Sequence, residues 1–209
     1  MGRPPRRLLT ADWIADEALK MVDESGDFTM PGIAGRLKVR PSSLYNHVSG
    51  RSEIIELLRA RMMAQIDVEQ VRERAAEWPE LVLGIAREYR RSYAQHPRLI
   101  PLLTATTVQT EVAFGMYNAL ADAFTDAGFA PAEVLHAITS VDSYVLGSAL
   151  DVAAPEEVWA TPPEAGEAMR AAVSAAGTMI GRADAAFEFG LQALVRGLVV
   201  LAEPVAAPE

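Results

Sequence analysis

Residues 29–48 contain two short helical patterns separated by a tight turn, and this layout restricts the N-terminal part of the chain to a small helical unit. Thr29 provides a capping hydroxyl, and Pro31 is tolerated because the first-turn amides of a helix have no helical partner. Val39 fills the turn. The apolar residues that would face inward are Ile33, Ala34, Leu37, Leu44 and Val48. The segment therefore predicts a helix-turn-helix.

The outward side of the second of these helices is free of acidic side chains. Its residues are Arg40, Ser42, Ser43, Tyr45, Asn46 and His47. Asn can pair with the edge of adenine, Ser accepts several bases, and Arg commonly binds guanine or phosphate. A merely solvated face of a three-helix unit is the alternative, but an acid-free set of this kind is unusual for it. We therefore expect this face to contact DNA.

The net charge of −9 is unevenly distributed over the 209 residues. Residues 1–60 hold nine Lys and Arg against eight Asp and Glu, so the acidic excess belongs to the remainder. The positive charges of the first part cluster at Arg3, Arg6, Arg7, Arg36, Lys38, Arg40 and Arg51. A basic face on a nearly neutral unit suffices for phosphate contact, whereas the acidic remainder would be repelled from DNA.

Several classes of protein are disfavoured by composition. Zero cysteine excludes disulfides, thiolate metal sites and cysteine nucleophiles. No uninterrupted run of about 18 apolar residues is present, and the first residues lack the apolar core of a secretory signal, so we expect a cytoplasmic location and no membrane partner. Three isolated histidines, no Gly-rich phosphate loop and no Ser-His-Asp pattern argue against an enzyme. We expect no cofactor and no metal site.

Hydrophobic spacing predicts helices along nearly the whole chain and almost no strand. Besides the helix-turn-helix pair, the expected helices lie at about 10–25, 51–67, 79–95, 98–105, 108–127, 131–151, 163–178 and 183–202. Residues 152–163 are rich in Pro, Glu and small side chains, which predicts a long loop. The expected fold class is all-α, with about nine or ten helices.

The helices divide into two expected domains. Residues 1–50 would form the DNA-binding domain, with 51–67 as a connecting helix, and residues 68–202 a larger helical bundle for ligand binding and dimerisation. Residues 203–209 would be a frayed tail.

The last helix carries a heptad-like apolar pattern beside a strip of small residues. We expect it to pair with the 131–151 helix in a four-helix bundle that joins two copies of the chain, although packing within one chain would give the same pattern. The candidate interface residues are Tyr144, Gly147, Phe187, Gly190, Leu191, Leu194, Gly197 and Leu198.

Several segments occur in the order typical of one family. These are Leu44-Tyr-Asn-His-Val48 with Arg51-Ser-Glu-Ile-Ile, Tyr93-Ala-Gln-His-Pro97, Ala127-Gly-Phe129, Asp142-Ser-Tyr-Val-Leu-Gly147 and Phe187-Glu-Phe-Gly-Leu191. Over most of its length the chain resembles the tetracycline-repressor (TetR) family of transcription regulators. The resemblance implies an all-helical homodimer that reads a palindromic operator and is released by a ligand in the larger domain.

The resemblance also implies roles for individual residues. Thr29 would cap its helix and meet a phosphate, while His47 and Arg51 would bind phosphate. The residues expected to face the major groove are Arg40, Ser42, Ser43, Tyr45 and Asn46. Arg3, Arg6 and Arg7 would form either an arm reaching a minor groove or a solvated basic tail. Lys38 stands where the family usually has glycine, and Lys tolerates a positive backbone angle poorly.

A ligand pocket needs apolar walls with a few polar groups. The candidates are Leu103, Thr104, Thr107, Tyr117, Leu135, Ile138, Thr139 and Asp142, with ordinary helix-bundle core as the alternative for each. Asp142 stands out because a carboxylate in an apolar segment needs a helix cap, an arginine or a ligand cation. Thr104 aligns with the histidine that holds magnesium in the tetracycline repressor, so we expect that magnesium-tetracycline is not the ligand.

These observations favour a ligand-responsive repressor. Two alternatives remain: a constitutive, architectural DNA-binding protein, and a helical small-molecule carrier that does not read DNA.

Overall fold

The computed structural model describes residues 9–155, 158–159, 164–176 and 181–202, and every regular element within these ranges is helical. The N-terminal unit comprises α1 (Ala11–Ser25), α2 (Met30–Leu37) and α3 (Pro41–Leu44), followed by α4 (Arg51–Met63). The larger unit comprises α5 (Val68–Arg74), α6 (Trp78–Ala94), a 3₁₀ turn (Pro97–Leu99), α7 (Ile100–Thr104), α8 (Glu111–Asp126), α9 (Pro131–Asp151), α10 (Glu167–Ala176) and α11 (Arg182–Ala202). The all-α prediction is confirmed. The expected arm residues Arg3, Arg6 and Arg7, the tail and part of the 152–163 loop lie outside the described residues.

The helix ends of the N-terminal unit follow its capping residues. The Thr29 hydroxyl accepts a hydrogen bond from the Gly32 amide at 3.1 Å, as a cap of α2 should. Lys38 ends α2 in the left-handed region, at φ 55° and ψ 41°. The Val39 amide then donates to the Ala34 carbonyl at 3.0 Å, which closes the turn. The turn therefore takes the conformation that glycine would favour, with lysine in its place.

The connecting helix is shorter than the predicted 51–67. α4 ends at Met63, and the Asp67 carboxylate accepts the Gln70 amide at 2.9 Å, which starts the unpredicted helix α5. An aspartate at this position competes with helix continuation because it caps a new helix. The chain therefore changes direction between α4 and α5.

α4 belongs to the cores of both units. Ile54, Leu58 and Met62 are buried within a single continuous apolar cluster. α4 packs against α1 on one side and against α6, α7 and α8 on the other. A displacement of α4 therefore affects both the N-terminal unit and the bundle.

A second contact joins the end of α1 to the residues after α6. The His96 ring nitrogen Nδ1 lies 2.9 Å from the Asp23 carboxylate, and the Arg98 guanidinium donates to the Asp23 carbonyl at 2.9 Å. A cation at a helix C-terminus is favoured by the helix dipole. This contact holds α1 against the bundle independently of α4.

The seam on α11 faces the protein's own core, which is the packing within one chain that the pattern left open. Phe187, Leu191 and Leu198 are buried within the chain, because α11 packs against α6 and α9. Tyr144 stacks on Phe187 and donates to its carbonyl at 2.8 Å, and the same ring abuts Gly190, so this contact is also intrachain.

The opposite side of α11 is exposed and, apart from Arg196, largely apolar. Gly197 lies there, and Gly147 is exposed on α9, while Leu194 is half-buried. The large apolar side chains on this side were not among the predicted interface residues: Phe189, Val200 and Leu201. By length and composition α11 could also cross a membrane, and 22% of its most apolar 18-residue stretch is buried inside the chain. In this fold the buried share packs against α6 and α9.

Candidate functional site

The exposed side of α3 and the turn after it form the first candidate site. α3 is only four residues long, and the amides of His47 and Val48 both donate to the Leu44 carbonyl. Leu44 and Val48 are buried and anchor the segment. Of the residues predicted to contact DNA from this face, Ser43 is half-buried, and those that are exposed are Arg40, Ser42, Tyr45, Asn46 and His47.

Some of the cationic side chains near this face are paired with carboxylates and others are not. Arg36 donates to the Glu24 carboxylate at 3.1 Å, and this hydrogen bond lowers the pKa of the Glu24 carboxyl. Lys38 and Arg40 have no carboxylate partner among the described residues. The positive charge free to meet a phosphate is therefore concentrated at the turn and the start of α3.

Arg51, a predicted phosphate ligand, is bound to its own chain. Its guanidinium lies 2.6 Å from the Asp27 carboxylate, donates to the Phe28 carbonyl and covers the Phe28 ring at 4.3 Å. The hydrogen bond from Arg51 holds the pKa of the Asp27 carboxyl below its usual range. In this arrangement Arg51 fixes the start of α4 against the loop before α2. Thr29, next in sequence to Phe28, is exposed, and its hydroxyl oxygen caps α2.

A cavity of about 530 Å³ in the larger unit forms the second candidate site. Leu103, Thr104, Tyr117 and Asp142 line it, so the structure brings together four of the eight predicted ligand residues. Its apolar lining also includes Ile100, Pro101, Val108, Leu146 and Leu150.

The other four predicted ligand residues lie elsewhere. Thr107 lines a depression beside the start of α4, and Ile138 packs half-buried against the core. Leu135 and Thr139 are exposed, and the Thr139 hydroxyl donates to the Leu135 carbonyl at 2.8 Å. The first half of α9 therefore faces away from this cavity.

Asp142 is the polar centre of the cavity. Its Oδ1 accepts hydrogen bonds from the Tyr89 hydroxyl at 2.7 Å and from the Tyr117 hydroxyl at 2.9 Å. From the sequence we expected a helix cap, an arginine or a ligand cation as its partner, and here two phenols donate to it. Burial raises the pKa of both phenols, and the nearby carboxylate adds to this, so both are neutral donors at physiological pH.

Tyr93 completes an aromatic wall. Its ring meets that of Tyr89 edge to face, with 4.7 Å between the centroids. The Tyr93 hydroxyl is buried without a hydrogen-bond partner among the described residues, and burial raises its pKa as well.

Arg59 connects α4 to the cavity wall. It is buried, and its Nη2 donates to the Leu103 carbonyl at 2.8 Å and to the Thr106 hydroxyl at 2.8 Å. Its Nε donates to Glu56 at 2.9 Å, and the second oxygen of Glu56 accepts the Gln109 amide at 3.0 Å. Two side chains of α4 therefore hold the segment between α7 and α8, which lines the cavity.

Sequence reasoning missed Arg59, Tyr89 and Tyr93 as cavity residues. Tyr89 and Tyr93 are spaced i, i+4 on α6, which indicates one shared face but not what that face lines. Arg59 is one of many helical arginines, and only the tertiary fold reveals the carbonyls it binds.

The other clefts among the described residues are weaker candidates for a binding site. A larger cleft of about 680 Å³ lies between α5, α6 and α8, but it is wide open, and its charged groups are on the surface. No group of three His, Asp or Glu side chains in the described part of the chain is placed to hold a metal ion.

Known proteins resemble this chain in sequence and in fold. A helix-turn-helix transcriptional regulator from Saccharopolyspora erythraea is 29% identical over 161 residues, which cover 76% of this chain and 66% of that protein. The chain therefore spans slightly less than two thirds of that relative. The class E tetracycline repressor of Escherichia coli is 25% identical over 197 residues and 90% of each chain.

The fold agrees with a solved structure. ActR from Streptomyces coelicolor, in complex with actinorhodin, superposes with a TM-score of 0.74 over 96% of this chain and all of that one, at 21% identity. Residues 72–201 match the family described as tetracyclin repressor-like, C-terminal domain. Members are DNA-binding regulators and not enzymes. Because that match covers more than half of the sequence, the chain belongs to the TetR family of transcription regulators.

Proposed function

We propose that the chain is a cytoplasmic, homodimeric repressor that binds a palindromic operator and leaves it when a small molecule fills the cavity. The observation that carries the proposal is the position of Arg59 and Glu56 on α4. The same helix begins beside the reading face and holds the cavity wall through these two residues. Occupancy of the cavity and the orientation of the reading face therefore share one structural element.

In this proposal the face around α3 enters the major groove. Asn46 and Arg40 supply hydrogen bonds to base edges, and Ser42, Ser43 and Tyr45 add permissive contacts. Thr29, His47 and Lys38 lie at the edge of the face, where they would meet phosphates. Arg3, Arg6 and Arg7 would add phosphate or minor-groove contacts. Arg51 would reach a phosphate only by giving up Asp27.

The dimer would form through the exposed side of α11 together with α9. Phe189, Val200 and Leu201 give this side an apolar surface, and Gly197 and Gly147 allow close approach. A two-fold axis would place the two reading faces on successive major grooves, about 34 Å apart along the duplex. Such a dimer requires a palindromic site.

The release of DNA follows from the thermodynamic linkage between ligand binding and DNA binding. A ligand releases DNA only if it binds more tightly to a conformation with wrongly spaced reading faces. A full switch from 1:99 to 99:1 requires about 5.5 kcal/mol of difference in binding free energy.

The test is a titration of promoter DNA next to the gene, measured by fluorescence anisotropy with and without a panel of cationic, neutral and anionic aromatic compounds. Tyr45→Ala or Arg40→Ala should weaken binding by roughly tenfold or more, since each removes a groove or phosphate contact. Arg72→Ala, an exposed arginine on α5, is the matched control and should change nothing. Binding of the promoter DNA with unchanged affinity in both reading-face variants would contradict the proposed reading face.

The same titration separates the two alternatives. An architectural protein would bind DNA with no response to any compound. A carrier would bind compounds without salt-dependent affinity for duplex DNA.

A further inference from the structure

The cavity contains a carboxylate, Asp142, that forms no ion pair within the described part of the chain. Oδ1 of Asp142 accepts both phenol hydrogen bonds, whereas no hydrogen bond or ion pair from the described residues reaches Oδ2. The two phenols are neutral donors, so they satisfy one oxygen but leave the negative charge in place.

Arg59, the cationic residue among the described residues that line the cavity, is already paired. Arg59 donates to Glu56, 2.9 Å away, and to the carbonyls of Leu103 and Thr106. Its positive charge is therefore offset by a carboxylate outside the cavity lining. Asp142, Arg59 and Glu56 together therefore carry one more negative charge than positive, and the uncompensated charge lies on Asp142.

Aromatic rings line the cavity together with this carboxylate. Tyr89, Tyr93 and Tyr117 are on its wall, and the faces of such rings attract cations. The remainder of the wall is mostly aliphatic, including Ile100, Val108 and Leu146. A carboxylate and three aromatic rings beside an apolar wall are complementary to a cation with an apolar body.

We propose that the ligand of this cavity is an apolar organic cation, whose charged group lies against Oδ2 of Asp142 and among the three tyrosine rings. This inference rests on the proposed ligand-responsive function and specifies its effector. It requires no metal ion, because the ligand itself carries the positive charge.

The test uses two probes of nearly equal shape and opposite charge, tetraphenylphosphonium and tetraphenylborate, with benzyltrimethylammonium as a smaller cation. Binding to the full chain is measured by calorimetry without magnesium. We expect the cations to bind and the anion to bind at least tenfold more weakly. Preference for the anion, or no binding of either cation at millimolar concentration, would overturn the inference.

Two variants test whether the cations bind to the carboxylate of Asp142. Asp142→Asn keeps the size and an acceptor for the phenols, and it should weaken the cations at least tenfold without strengthening the anion. Asp126→Asn, which removes an exposed carboxylate on α8, is the control and should bind as the wild type does. Equal cation affinity in Asp142→Asn would also overturn the inference. If that variant does not fold, Tyr117→Leu provides a second test through loss of one ring, and the wild-type probe pair is decisive by itself.

The two proposals can fail separately. If cations bind in an Asp142-dependent way but leave the protein on DNA, the cation site stands and the release function fails. If only neutral or anionic compounds release the DNA, the repressor function stands and the cation inference fails.

Discussion

The Tyr144 ring occupies the space into which a side chain at Gly190 would extend. A Cβ built on Gly190 would lie 2.9 Å from Cζ of Tyr144 and still closer to its hydroxyl. The hydroxyl donates to the Phe187 carbonyl at 2.8 Å, which fixes the ring against α11. α9 and α11 of the same chain therefore meet at this pair, and the absence of a side chain at Gly190 makes room for the Tyr144 ring.

Gly190→Ala should destabilise the chain. Overpacking against Tyr144 costs about 1–3 kcal/mol, and the better helix propensity of alanine returns up to about 1 kcal/mol. We expect a net loss of about 1 kcal/mol in the free energy of unfolding, measured by urea denaturation. Gly115→Ala on α8 is the matched control, since no atom lies within 4 Å of its Cβ position, and it should be neutral or stabilising. A neutral Gly190→Ala would show that the close approach is not required.

Lys38→Gly should stabilise the chain. Lysine at φ 55° costs about 1–2 kcal/mol relative to an unstrained residue, and glycine removes this cost while adding about 0.4–1 kcal/mol of chain entropy to the unfolded state. The expected gain is about 0.5–1 kcal/mol in chemical denaturation. Lys38→Ala removes the same charge but keeps the strained angle, so it should give no gain. Equal gains in both variants would assign the effect to charge.

The N-terminal unit was predictable because its signals are local. The hydroxyl of Thr29, the apolar spacing that buries Leu44 and Val48, and the acid-free outward face all depend on neighbours within one or two turns. The α4 boundary was less predictable, because Asp67 can either extend a helix or cap the next one.

The cavity and the interface depend on long-range packing. Phe187 and Phe189 are two residues apart on α11, yet the first is 3% exposed and the second 81%. Periodicity separates these two faces but does not tell which one meets the protein's own core. The partners of Asp142 come from α6 and α8, 53 and 25 residues away, and no local pattern specifies them.

Alkaline pH should unfold the chain through its buried tyrosines. Burial raises the pKa of Tyr89, Tyr93 and Tyr117, so above about pH 10 the unfolded state loses protons that the native state retains. Below this pH the three tyrosines contribute their full stabilisation of the native state. As the pH rises above it, the free energy of unfolding falls by about 1.4 kcal/mol per tyrosine for each pH unit. Tyr117→Phe should reduce the slope of stability against pH by one proton. Tyr45→Phe, which removes an exposed hydroxyl, is the control; equal slopes in both variants would contradict the prediction.

Arg59→Lys should uncouple the cavity from DNA. Lysine keeps the charge but cannot bind Glu56, Leu103 and Thr106 together, so the segment between α7 and α8 should no longer move with α4. The loss of these charged hydrogen bonds should also lower the free energy of unfolding by about 1.5–3 kcal/mol. With tetraphenylphosphonium, or any other compound that releases the wild type, we expect about tenfold more compound for half release, which is a loss of about 1.4 kcal/mol of coupling. DNA affinity without compound should remain unchanged. The control is Arg61→Lys, the same substitution on the same helix. Arg61 contacts Asp16 on α1 and not the cavity wall, so this variant should still release DNA normally. If both variants release normally, α4 transmits the signal by another contact.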